Sequence, residues 1–221
     1  MPRLVLAILF CFTLPSAFAF NFSDEEKQQK EADDASHRKV SQQLATPCKE
    51  ALKDRKIMVM IGERGSRGIN AQQSNYGPHF NSINQRLRNL GLKTYTQQEI
   101  TAQVAQAEID AYFRNDPDAA LNASKKMGAD FILRGTISSR TAINPVLRIP
   151  EVYVNMGFTL SAADGRTISD VSAQAESYSG SDTLGMALTL VNEQASGVVA
   201  KLYSDYCRNA GISGAKKKQT K

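Results

Sequence analysis

The stretch GADFILRGTISSR, residues 128–140, decides the fold. Gly128 suits the left-handed residue that closes a helix, and from Phe131 to Ser139 the polarity alternates with the two-residue period of a strand. Arg134 and Arg140 fall on its more polar side. Upstream, KIMVMIGE (56–63) is a near-continuous apolar run of strand length, the pattern of a strand covered on both faces, and is the expected centre of the sheet. Downstream, EVYVNMGFTLSAADGRTISDVSAQAESYSG (151–180) has the form of a long hairpin. Val152, Val154, Met156, Phe158 and Leu160 alternate inward, ADGR turns the chain, and small Ala173 and Ala175 on the return arm leave room for a packed helix.

The remaining segments predict helices and short connections. PCKEALKDR (47–55) is a short helix with Thr46 as N-cap and Pro47 in its first position, carrying Cys48. ERGSRGINAQQSNYG (63–77) is a surface loop; its Gly62, Gly65 and Gly68 have a spacing like a phosphate-cradling turn, but no GK[ST] follows, and Arg64 and Arg67 suit an acidic partner better. Phe80, Ile83, Leu87 and Leu90 mark an amphipathic helix from Pro78 that Gly91 stops, and LKTYT (92–96) is a second strand. Ile100, Val104, Ala107 and Ala111 share a helical face, and Asp116 with Pro117 opens a further helix that Gly128 closes. The central strand continues to about Ala142, and INPVLRIP (143–150) is a loop. From Asp182 to about Cys207, Leu184, Leu188, Val191, Ala195, Val198 and Leu202 form one continuous apolar stripe, that of a long helix laid across the sheet. The expected fold is α/β (α+β), a single mixed sheet of about five strands with a long C-terminal hairpin, packed by helices that include a long C-terminal one.

The ends of the chain speak to compartment. MPRLVLAILFCFTLPSAFAF carries Arg3, an apolar run from Leu4 to Leu14, then Pro15 and small Ala17 and Ala19, the pattern of a secretory signal peptide (residues 1–19) cut after Ala19. The apolar run is shorter than the roughly 17–25 residues that span a bilayer, and bulky Phe10 before Cys11 speaks against lipid attachment there. No later segment is apolar enough for a membrane span, so a soluble periplasmic protein is expected. Residues 20–45 are polar and rich in both charges, an exposed helix or a tether. Residues 46–208 form the expected domain and 209–221 a basic tail. Arg3, Lys216, Lys217, Lys218 and Lys221 account for the whole net charge of +5, leaving no basic face for nucleic acid on the folded body. Cys48 and Cys207 lie near the two ends of the domain, and an even count in an exported chain predicts a disulfide between them.

No catalytic pattern emerges. Ser36 and Lys39 in SHRK fit Ser-x-x-Lys only formally, within the polar N-terminal segment, and neither a Gly-x-Ser-x-Gly elbow nor HExxH is present. Glu63, Glu99, Glu108 and Glu151 are scattered, and His37 and His79 show no metal-ligand spacing with the cysteines. No cofactor is expected. The order of elements, with GADFILRGTISSR before EVYVNMGFTLSAADGRTI, resembles the envelope modules shared by the curli secretion channel subunit, the lipoprotein activators of penicillin-binding proteins, the N-terminal domain of the TolB protein and the middle domain of flagellar assembly protein T. The resemblance covers residues 56–206. It implies a non-enzymatic part that docks on an envelope protein partner, with Arg64, Arg67, Arg134 and Arg140 as possible contacts. The alternative is a periplasmic binder of a small or polymeric cell-wall ligand, for which an aromatic-lined pocket would be expected; a chain with no Trp and 7% aromatics favours docking.

Overall fold

The computed structural model describes residues 22–45, 47–174, 178–179 and 182–209. The chain divides into two compact units, residues 1–35 and 36–221. The described part of the first is helical, the beginning of α1 (Phe22–Leu44), and residues 26–39 of that helix are exposed. The segment expected to act as a polar tether is thus helical over Phe22–Leu44.

The second unit is built on a seven-stranded mixed sheet. Its main path runs β2 (Gly68–Asn70), β1 (Lys56–Gly65), β4 (Phe131–Ile143), β5 (Pro150–Ala162), β6 (Thr167–Gln174). Two short strands flank this path, β3 (Lys93–Thr94) parallel to β1 and β7 (Tyr178–Ser179) antiparallel to β5. β1 pairs in parallel with β4 from Ile57↔Phe131 to Arg64↔Ser138, while β4 and β5 pair antiparallel along all thirteen residues, Phe131↔Ala162 to Ile143↔Pro150. Ile57 to Ile61 are all at most 2% exposed, the two-sided burial expected of a parallel strand between layers. INPVLRIP is thus the turn of the sheet's longest hairpin, a pairing the sequence reading did not make.

One sheet face is covered by α3 (Gly77–Asn89) and α7 (Thr183–Asn209). Val152, Val154, Met156, Phe158 and Leu160 point into this layer and are all buried, as the alternation predicts. α7 follows its stripe through Val191, Ala195, Val198 and Leu202, but Leu190 is wholly buried where Leu188 is half-buried, so the helix is rolled slightly toward Leu190. Arg86 and Ser82 of α3 lock the two helices together, Arg86 donating to the Asn192 carbonyl at 3.0 Å and Ser82 Oγ to Asn192 Oδ1 at 2.8 Å. Ala175 lies outside the described residues.

Three expectations are corrected. The Ile100–Ala111 stripe is broken into α4 (Gln97–Gln103) and α5 (Gln106–Phe113), because Val104 is extended at φ −109° and ψ 116°; Ala107 is exposed, and Ile109, Tyr112 and Phe113 are buried instead. The first short helix, α2, spans only Lys49–Leu52, with Cys48 at its N-cap rather than inside it. The loop after β1 contains β2, formed because β1 runs on to Gly65 and folds back as a tight antiparallel turn. α6 (Pro117–Met127) begins and ends as predicted: the Asp116 carboxylate accepts from the N–H groups of Asp118 and Ala119, and Gly128 closes it at φ 61°.

Cys48 and Cys207 form a disulfide, with Cα atoms 5.8 Å apart. The Tyr203 hydroxyl accepts from the Cys48 N–H at 3.1 Å, so α7 holds the bridge at two points.

Candidate functional site

The second sheet face is covered unevenly. Over β1, α5 lies so close that a Cβ on Gly62 would sit 2.8 Å from a Phe113 ring carbon and 2.9 Å from Ile69. The glycine is therefore a packing residue under an aromatic ring, and the phosphate-turn reading of its spacing falls away. The Arg134 guanidinium on β4 lies 5.4 Å from the centroid of the Tyr112 ring and donates to Asn115 Oδ1 at 2.8 Å. Burial pushes the Tyr112 phenol up, against the pull of Arg134.

Beyond Arg134 the helical cover stops. On β4 this leaves Thr136, Ser138 and Arg140; on β5, Gly157, Asn155 and Tyr153 stand opposite them, and Thr159 stands opposite Arg134; on β6 come Asp170, Ser172 and Gln174. Each is half-buried or exposed, while the alternate residues of β5 facing α3 and α7 are buried. The sheet thus presents a polar platform with one hydrophobic face behind it. At one end the Arg140 guanidinium stacks over the Tyr153 ring at 4.4 Å, within cation–π range. At the other, Thr159 Oγ1 donates to Asp170 Oδ1 at 2.6 Å. At the Arg140 end is a shallow cavity of about 310 Å³ bounded by Ser138, Arg140, Tyr153, Asn155 and Gln174.

The four arginines singled out in the sequence separate in space. Arg64 pairs in register with Ser138 and so shares this face with Arg140; both are exposed. Arg134 shares it too, but half-buried and engaged by Asn115 and Tyr112. Arg67 stands at the exposed turn between β1 and β2, on a second shallow cavity of about 350 Å³ with Glu63 and Asn70. Tyr153, Asn155 and Asp170 were missed as platform residues. Their signal was the complement of the inward set: if Val152, Val154 and Met156 face in, Tyr153 and Asn155 face out.

The scattered carboxylates have structural work. Glu99 closes a capping box with Thr96, accepting from its N–H at 2.6 Å, and these hydrogen bonds hold its carboxyl below the usual range. Glu108 pairs with Lys126 at 2.6 Å, and Glu151 accepts from Asn144 Nδ2 at 2.7 Å and from the Tyr153 hydroxyl at 3.1 Å. Asp205 is buried between β6 and α7. Burial opposes its charge, yet hydrogen bonds from Lys201, Ser169 and Arg208 outweigh that and keep its pKa low. His79 is buried under the start of α7, its Nε2 2.9 Å from the Leu184 carbonyl oxygen. Among the described residues no three His, Cys, Asp or Glu side chains gather as a metal-ligand group, and no helix is long and apolar enough to cross a membrane.

No family model matches the chain, and no curated protein matches it. Among solved structures it is similar to lipoprotein GNA1162 from Neisseria meningitidis, at 17% identity and a TM-score of 0.44, covering 65% of this chain and 99% of that one. It is also similar to the LpoB C-terminal domain from Salmonella enterica, at 16% identity and a TM-score of 0.36, over 62% of this chain and 92% of that one. A third is the PelC dodecamer from Paraburkholderia phytofirmans, at 15% identity and a TM-score of 0.38, over 68% and 88%.

Proposed function

We propose that this chain is an exported, non-enzymatic docking or assembly factor of a bacterial envelope machine, and that it engages its protein partner through the open polar platform of β4, β5 and β6. The observation that carries this reading is the abrupt end of helical cover beyond Arg134, which leaves ordered side chains on a rigid sheet with a packed core behind them. Arg140 held flat on Tyr153 is a preorganised contact, since its side-chain freedom is already reduced before a partner arrives. Arg64 extends the same face toward β1. Residues 46–208 constitute the docking domain, with residues 1–19 as export signal and 209–221 as a basic tail. Cleavage after Ala19 releases the chain; lipid attachment at Cys11 is the other way to hold it at the envelope. The mass of the mature N-terminus distinguishes the two.

A photo-crosslinking residue placed at Asn155 and activated in cells tests the reading. A discrete protein adduct is expected there, and none when the same residue replaces exposed Asn122 on α6. Recovery of glycan or a small ligand alone would overturn docking in favour of ligand binding.

A further inference from the structure

The platform ends at a feature of a different character. Past Ser138 on β4 and Asn155 on β5, the hairpin outruns both β1 and β6, whose pairings stop at Arg64↔Ser138 and Asn155↔Gln174, and only the two-residue β7 flanks β5 further on, at Val152↔Tyr178 and Glu151↔Ser179. At its tip Ile143, Val146, Leu147 and Ile149 are 63%, 84%, 66% and 38% exposed, and they are the large hydrophobic residues left open to solvent among the described residues. Four aliphatic side chains at one projecting turn are not the scattered exposed apolar residues of an ordinary surface.

Four N–H groups of the turn are paired within it. Asn144 Oδ1 accepts from the N–H groups of Val146 and Leu147 at 2.9 and 2.8 Å, Asn144 N–H donates to the Ile149 carbonyl at 2.9 Å, and Arg148 N–H donates to the Asn144 carbonyl at 2.8 Å. Arg148 takes the left-handed conformation at φ 56° to close this network. Each N–H group paired in this way is one fewer to desolvate when the tip meets a medium of low dielectric. The charges around it are net positive. Arg148 is exposed at the tip, and Arg140 lies three residues below Ile143, about 10 Å along the strand. Against these two stands Glu151, the one acidic residue of β4, the turn and β5, whose carboxylate accepts from Asn144 and Tyr153.

From these features we infer that the β4–β5 tip inserts into the surface of a bilayer carrying anionic lipid, with Val146 and Leu147 among the acyl chains and Arg148 and Arg140 at the phosphates. A protein groove is the less suited occupant, because the tip is convex and carries no aromatic anchor of the kind that concentrates interface energy. Anionic lipid answers both halves of the tip at once: apolar area gives depth, and arginines give preference for negative headgroups. The inference goes beyond the docking reading and shares only Arg140 with it; Val146, Leu147 and Arg148 lie outside the platform, so the tip probe tests it separately.

The absence of tryptophan from the sequence provides a clean probe. In the full-length exported protein, Val146→Trp places a single indole at the tip and Asn122→Trp places one on α6 as control. With vesicles of phosphatidylcholine and phosphatidylglycerol, the tip indole is expected to shift to the blue and to be quenched by bromine-labelled acyl chains, while the control does not change. Adding Leu147→Asp to the tip probe should weaken vesicle binding about tenfold or more, and raising salt should weaken it further. No shift on vesicles overturns the inference, and so does a shift that appears without lipid as protein concentration rises, which would mark a contact between copies. An equal, salt-insensitive shift on phosphatidylcholine alone overturns the role given to the arginines.

Discussion

His79 illustrates how one side chain makes a fold sensitive to pH. Its ring is 3% exposed, Nε2 meets the Leu184 carbonyl, and Nδ1 has no hydrogen-bonding partner. Burial lowers its pKa below the ordinary 6.5, only partly offset by the carbonyl. As pH falls through 6.5 the unfolded chain takes up a proton that the folded one still refuses, so stability falls until the lowered folded value is reached. Unfolding free energy measured by denaturant titration should therefore decline as pH falls below about 6.5, with a slope of at most about 1.4 kcal/mol per pH unit from this group. His79→Gln should flatten the curve across that window; an unchanged slope in the variant would assign the effect elsewhere.

At the scale of elements, the edge of β1 shows how a side chain completes a sheet. On the side away from β4, β3 pairs only at Lys56 and Ile57 and β2 only from Glu63 to Gly65. Within that gap, the buried Gln73 amide acts as a substitute strand: Oε1 accepts from Ile61 N–H at 3.0 Å, and Nε2 donates to the Ile61 carbonyl at 2.8 Å and the Ala71 carbonyl at 2.7 Å. Gln73→Ala strips partners from buried backbone groups and should cost about 2–4 kcal/mol, read as a lower urea midpoint with an unchanged slope. This device was illegible in the sequence, where Gln73 sits in a run of polar loop residues. What was legible were elements whose signal is local and repeated, such as Asp116-Pro117 and Gly128 around α6, or the alternation of β5. The break at Val104 was not, because a single extended residue between two helical stretches leaves the apolar spacing nearly intact. Nor was the β4–β5 pairing, for two Pro residues in INPVLRIP made its turn look like a plain connection. The platform could be reached only in part: Arg140 was named from its strand position, whereas its stacking on Tyr153 depends on a register that sequence does not state.

For the whole molecule, the Cys48–Cys207 bridge closes a separation of 159 residues. On the chain-entropy model a loop of that length contributes about 5 kcal/mol, and measured bridges often give less. Mass mapping after thiol labelling of the denatured, unreduced protein should find both cysteines unmodified, and reduction should lower the unfolding midpoint without changing the native fold at room temperature. Labelling at either position would remove the bridge from the account. The parallel pairing of β1 with β4 has a further consequence for biogenesis. Ile57 must wait for Phe131, with the same offset of 74 residues that separates Lys56 from the Asp130 carboxylate it reaches. During synthesis the IMVMI segment therefore emerges ahead of the strand that pairs with it along its whole length. A sticky, uncharged ribbon in that position is a template for clumping, and shielding it while the chain is incomplete becomes a requirement that the finished architecture itself imposes.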